Sequence, residues 1–243
     1  ETDIDEGMIR LNTTTSYYGG YFTDTFNVDE QLSLTLAGRY NQAQVNLYDQ
    51  AGTALNGNHT YQRFNPSGGI TYAFTEEFMT YASYNEANRA PTAVELACSD
   101  PATPCRVPNA FLSDPELQQV VAKTAEAGFR GTVKKFYGGS FDWSAGYFNT
   151  ISSNDIQFIN SGIISGQGYF ANVGQTLRQG LEVSLNADYD PVRLGFNYMY
   201  LDATFQSPFI SNSPNNPYAN DLGQVFVRPG DSIPGVPDNV FKA

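Results

Sequence analysis

No stretch of this chain approaches the roughly 18 consecutive apolar residues that a membrane-crossing helix needs, so no helix spans a bilayer. Basic residues are few. The 13 Lys and Arg are scattered and outnumbered by 25 Asp and Glu, and a net charge of −12 disfavours binding to nucleic-acid phosphates. Histidine occurs once, as His59 in a loop-like Asn-Gly-Asn setting, which leaves a Ser-His-Asp site with one unpromising candidate. The sequence also has no Gly-x-Ser-x-Gly elbow, no Walker loop and no dinucleotide fingerprint. Glu76 and Glu77 are adjacent carboxylates in a predicted turn, where solvation explains them. We therefore expect no enzyme, no resident cofactor and no metal site.

What is present is alternation with a period of two. Within residues 32–40 the leucines and Tyr40 share one face, while Ser33, Thr35 and Arg39 share the other. The rhythm returns over 141–148, 181–189 and 192–198. Such runs are strands. A soluble sandwich would hide the apolar face against a second sheet, but here the opposite face carries Arg39, Glu182, Asp188 and Arg193, and each run has the length of roughly 9 residues or more that a tilted strand needs to cross a bilayer. The reading is an all-β, antiparallel transmembrane barrel, apolar outside and wet inside. Its 17 Phe, 16 Tyr and single Trp suit interfacial girdles, and a mean hydropathy of −0.36 does not oppose it, because half of every barrel strand is polar.

Connections alternate in length. Short ones are predicted at 27–31, 75–77, 133–139 and 188–191, and long ones at 49–60, 90–121, 160–168 and 207–234, the asymmetry of bacterial barrels. Eight or nine strands result, with a further one beginning near Ile233. Residues 13–28 show no clean apolar parity. After Tyr40 the phase flips, since Ala43, Val45 and Leu47 are apolar where Gln42, Gln44 and Asn46 are polar, which a β-bulge or emergence from the hydrocarbon band would explain. Ser113, Asp114, Pro115 and Glu116 resemble a helix capping box, with a turn leading into a strand as the alternative.

Cys98 and Cys105 are the only cysteines and lie among Pro91, Pro101, Pro104 and Pro108. A metal site needs more ligands, and a thioredoxin-like motif needs a two-residue gap. A disulfide in an exported loop is expected, with two free thiols as the alternative. Such a short closure stabilises by about 2–3 kcal/mol at most. The chain begins at Glu1 without a signal peptide and ends in what looks like the opening of a strand, so a piece of a longer mature protein is expected.

Residues 81–96 carry Tyr81, Tyr84, Arg89, Pro91, Thr92, Glu95 and Leu96, and this stretch resembles the Y-x-x-Y-x-x-x-x-R-x-P-T-x-x-E-L segment of TonB-dependent outer-membrane receptors. Further marks follow in order: Pro115-Glu116, then Glu126, Gly128, Arg130 and Gly131 as E-x-G-x-R-G, Gly146-Tyr147-Phe148-Asn149 with Asp155-Ile156-Gln157, Asn172-Val173-Gly174, Arg178, Gly180 and Glu182 as R-x-G-x-E, and Ile233-Pro234 with Pro237. Each is weak alone; in correct order over residues 60–243 they are strong.

The resemblance implies that residues 1–243 are part of one 22-stranded receptor barrel whose plug domain and final strands lie outside this chain. It implies a bacterial outer-membrane location and a TonB-ExbB-ExbD partnership through the plug. It also implies contact with outer-membrane lipid and lipopolysaccharide, and uptake of a scarce small molecule, best a ferric siderophore or similar chelate. A passive porin or adhesin barrel and a soluble carbohydrate-binding sandwich are the rival classes. Candidate ligand contacts in the 91–119 connection are Glu95, Asp100, Arg106 and Asn109. Candidate lumen-facing charges are Arg39, Glu126, Arg130, Glu182 and Arg193, whose plain role is salt bridging or contact with the plug.

Overall fold

A computed structural model describes residues 10–53, 55–98, 105–106, 117–136, 138–160 and 167–243. In chain order the elements are β1 (Leu11–Asn27), β2 (Leu32–Asp49), β3 (Gly57–Thr75), β4 (Phe78–Arg89), α1 (Ala93–Leu96), β5 (Cys105–Arg106), β6 (Val120–Phe136), β7 (Gly139–Ser153), β8 (Ile156–Asn160), β9 (Gln167–Asn172), β10 (Thr176–Tyr189), β11 (Val192–Phe205), β12 (Phe209–Asn212), β13 (Gln224–Val227) and β14 (Asn239–Lys242). Nine of them form one antiparallel sheet in the order β1-β2-β3-β4-β6-β7-β10-β11-β14. Wall strands joined in sequence are also neighbours in the sheet, an up-and-down order.

The alternation decides the faces. One register row runs Phe26, Leu34, Ile70, Ala82, Ala127, Tyr147, Leu181 and Tyr200 across eight strands. Leu36, Leu181 and Leu194 on this face are 67%, 51% and 63% exposed. Ordered leucines left this open have no place against water, and a lipid phase is the solvent that suits them. Near the short turns Phe74, Phe129 and Trp143 gather round Phe78 at centroid distances of 5.2, 5.9 and 5.9 Å, as an interfacial aromatic belt would. The adjacent row on the other face runs Tyr81, Gly128, Gly146, Glu182 and Met199. Among the described residues the other sheets, β5-β9-β8 and β12-β13, have three and two short strands, too few to face the nine-stranded sheet as the second layer of a sandwich.

Short links join wall strands at residues 28–31, 76–77, 137–138 and 190–191, and long ones at 50–56, 90–119, 154–175 and 206–238. The first short turn is set by Asp29, whose Oδ1 accepts from the backbone N–H groups of Gln31 and Leu32 at 2.8 and 2.7 Å. The predicted asymmetry is therefore present, with corrections. The last wall strand begins at Asn239, not near Ile233, whose N–H instead bonds Ala203 O at 2.9 Å. The long links are not plain loops: β5, β9 and β8 form a small sheet, and β12 pairs with β13. Residues 13–27, which lack a clean parity, belong to a single 17-residue strand. The Ser113 to Glu116 candidate lies outside the described residues.

The phase flip after Tyr40 is no bulge. β2 stays in unbroken register with β1 and β3 through Ala43, Val45 and Leu47. These side chains lie on the face that carries Arg39, and there they are buried because the long links fold over them. Val45, Leu47, Leu55, Leu96, Leu117, Val120 and Ile156 form one cluster, flanked by Phe170. Emergence from the hydrocarbon band leaves the outer face polar, and the apolar residues switch to the side where a core has become available.

Candidate functional site

The polar face is held together by a few specific joints. Tyr81 Oη donates to Glu126 Oε1 at 2.6 Å, and the Arg130 guanidinium sits 5.7 Å from the centre of the Tyr81 ring. The hydroxyl lies over Gly128 and Gly146, where an added Cβ would stand 2.9 and 2.8 Å from Tyr81 Oη. Glycine at both positions is what admits the tyrosine. Glu182 follows Gly146 in the same row. Three of the five expected wall charges, Glu126, Arg130 and Glu182, thus gather round Tyr81. The other two stand apart: Arg193 pairs with Asp188 at 3.0 Å beside a short turn, and Arg39 Nε donates to Asn41 Oδ1 at 2.6 Å.

Where β4 ends, residues 90–98 form a strap. Pro91 keeps residues past Ala90 out of the sheet, and Thr92 caps α1: its hydroxyl accepts from Glu95 N, while Glu95 Oε2 accepts from Thr92 N at 2.7 Å, a capping box. Arg89 Nη1 donates to the same Oε2 at 2.7 Å. Burial pushes the Glu95 carboxyl up. The hydrogen bonds from Arg89 and the Thr92 backbone, the Arg89 charge and the Thr92 hydroxyl outweigh that and hold it below its usual value. Leu96, fully buried, then drops into the cluster on β2.

Of the expected loop contacts, Glu95 is thus engaged in shaping the strap. Arg106 is described by its backbone alone, in β5, and Asp100 and Asn109 lie outside the described residues. Cys98 is buried; its Sγ lies 3.6 Å from Gly168 O, and the backbone of Cys105 pairs with Gly168 in β9. Further along, Asp155 Oδ2 accepts from Thr176 Oγ1 at 2.7 Å and Arg178 Nη2 at 3.3 Å, which pins the 154–175 link to the wall. Among the described residues no group of three or more His, Cys, Asp or Glu could hold a metal ion.

Sequence reasoning missed the part played by Tyr81, although the glycines one and two strands away carried the signal. The ordered marks resolve into structure: Arg89, Thr92, Glu95 and Leu96 build the strap, Gly128 and Gly146 seat Tyr81, and Arg178 holds a loop root.

The family model described as "TonB dependent receptor-like, beta-barrel" matches residues 6–243. The chain belongs to that family. Its nine-stranded sheet is a sector of a receptor barrel, and the family consists of outer-membrane transporters and receptors rather than enzymes. Solved structures with the same fold include the ferric-catecholate import receptor Fiu of E. coli K12, at 16% identity, TM-score 0.65, covering 95% of this chain and 32% of that one. The alcaligin outer-membrane receptor FauA of Bordetella pertussis has 17% identity and TM-score 0.58 over 95% of this chain and 34% of its own. The ferripyoverdine receptor of Pseudomonas aeruginosa has 20% identity and TM-score 0.59 over 80% and 23%. The chain spans about a third or less of each.

Proposed function

We propose that this chain supplies part of the wall and part of the outward-facing loops of an outer-membrane receptor that takes up a scarce chelate, best a ferric siderophore, with energy from TonB-ExbB-ExbD acting through a plug domain outside residues 1–243. The observation that carries this is the match to the receptor-barrel family along nearly the whole chain. The receptors of like fold for ferric catecholate, alcaligin and ferripyoverdine support iron chelates as the cargo class. On this reading the apolar face meets outer-membrane lipid and lipopolysaccharide, the polar face with Arg39, Glu126, Arg130, Glu182 and Arg193 lines the lumen, and the long links lie outside the cell. Cys98 and Cys105 form a bridge that staples the strap to β9; their shared neighbour Gly168 supports the pairing.

The test is growth and 55Fe uptake by a siderophore-receptor-deficient strain carrying the full-length gene, with and without functional TonB. The reading expects TonB-dependent uptake of at least one ferric chelate. TonB-independent uptake, or none across hydroxamate, catecholate and carboxylate chelates, overturns it.

A further inference from the structure

On the polar face of β1 and β2, just below the strap, two adjoining hollows of about 350 and 330 Å³ share Arg39, Asn41 and Asn88. Arg39 differs from other arginines of the wall and its links. Arg63, Arg89, Arg178 and Arg193 are each paired with a carboxylate, of Glu86, Glu95, Asp155 and Asp188 in turn, and Arg130 lies on the Tyr81 ring. Arg39 is held by a neutral amide through Nε alone, and no described residue pairs its Nη1 or Nη2. Glu86, the carboxylate that lines the second hollow, is engaged by Arg63 and by the Tyr84 hydroxyl instead.

Its position is fixed rather than loose. Asn41, which accepts from Arg39, donates through Nδ2 to Asn88 Oδ1 at 3.0 Å; Asn65 Nδ2 donates to the same oxygen at 2.7 Å, and Asn88 Nδ2 to Gln119 Oε1 at 2.9 Å. On the other side, Gly19 of β1 leaves room for the guanidinium, since a Cβ there would stand 3.3 Å from Nη2. A relay of four amides, three from β2, β3 and β4 and one from Gln119 just before β6, therefore orients this guanidinium. Asn65, which lines the second hollow, is 4% exposed, so the relay is anchored in a buried side chain. Tyr21, directly opposite Arg39 in the β1–β2 register, adds an open aromatic ring.

We infer that these hollows are a binding subsite for the anionic, oxygen-rich end of the cargo, with Arg39 Nη1 and Nη2 donating to an oxyanion and Asn65, through Asn88, holding the amide relay that positions the guanidinium. The ligand class is a carboxylate- or catecholate-bearing chelate rather than a neutral one. A planar guanidinium suits paired oxyanions better than an ammonium does, and the amide relay fixes it before the ligand arrives. This subsite rests on the uptake reading above and narrows it.

The test uses the purified full-length receptor and three probes: ferric tris(2,3-dihydroxybenzoate), ferric citrate and neutral ferrichrome. The wild type is expected to bind at least one of the two anionic chelates. Arg39→Gln weakens that binding by about tenfold or more, Arg39→Lys restores part of it, and Asn65→Leu weakens it with Arg39 intact. Heat-modifiable mobility of each variant, unchanged from wild type, shows an assembled barrel. Equal affinity in wild type and Arg39→Gln overturns the subsite while the uptake reading stands, as does binding of ferrichrome alone. Binding of none of the three contradicts the subsite and the uptake reading together.

Discussion

Tyr81 reaches from β4 across two strands of glycine, Gly128 and Gly146, and its hydroxyl donates to Glu126 at 2.6 Å. A side chain that reaches across a sheet needs neighbours without Cβ atoms where its tip crosses them, so the tyrosine and the glycines are one joint. Gly146→Ala places a methyl 2.8 Å from Tyr81 Oη and is expected to cost about 1–3 kcal/mol by overpacking. In a Tyr81→Ala background the same substitution is expected to cost much less, because the two sites are in contact. Denaturant midpoints of the folded barrel, read by heat-modifiable mobility, check the cycle; equal costs in both backgrounds would mean the joint carries no energy.

Leu96 is the apolar anchor of the strap, fully buried among residues from β2, the 50–56 link, the start of β6 and β8. Leu96→Ala is expected to remove about 2–5 kcal/mol from this cluster. Hydrogen exchange should then rise together in residues 50–56, 93–98 and 156–159, while β10 and β11 stay protected. Faster exchange confined to 93–98 would show that the links move independently.

The Glu95 carboxyl is held below its usual value in the folded strap. A depressed carboxyl contributes stability in full above the unfolded value of about 4.3, and that contribution is lost as the pH falls through the lower folded value. Exchange of the amides in 92–97 is therefore expected to accelerate on acidification from pH 6 toward pH 3.5, after correction for intrinsic rates. Glu95→Gln is expected to be fast already at pH 6 and to lose most of that dependence. A pH response equal in wild type and variant would remove Glu95 from the latch.

Cys98 and Cys105 are expected to be bridged. Alkylation of the denatured, unreduced receptor followed by intact mass should find no modified cysteine, and reduction beforehand should expose two. Two alkylated cysteines without reductant contradict the pairing.

The wall strands were legible because alternation is local: Leu34, Leu36, Leu181 and Leu194 announce their face within a few residues. The short turns were legible for the same reason, from residues such as Asp29. Features made by distant segments were not. Ala43, Val45 and Leu47 looked out of phase because their cover, Leu96 and Ile156, comes from links more than 40 residues away. The capping-box pattern was noticed at Ser113 to Glu116, whereas the structure forms one from Thr92 and Glu95, which the family resemblance had marked without a mechanism. The amide relay round Arg39 joins residues from three strands and the 90–119 link, and no spacing in the sequence brings Asn41, Asn65 and Asn88 together.

The account depends most on the opposition of the two faces, and spin labels placed one at a time along residues 179–188 of β10 in the full-length receptor, reconstituted in bilayers, test it directly. Accessibility to oxygen, which concentrates in lipid, is expected to peak at Leu181, Val183, Leu185 and Ala187. At Glu182, Ser184 and Asn186 it is expected to be low, with any accessibility favouring a water-soluble nickel chelate. A period of two with this phase supports a lipid-facing apolar side and a wet or plug-covered polar one. The opposite phase, or oxygen accessibility that does not alternate, would contradict the barrel-wall assignment on which the strap, the Tyr81 joint and the Arg39 subsite all rest.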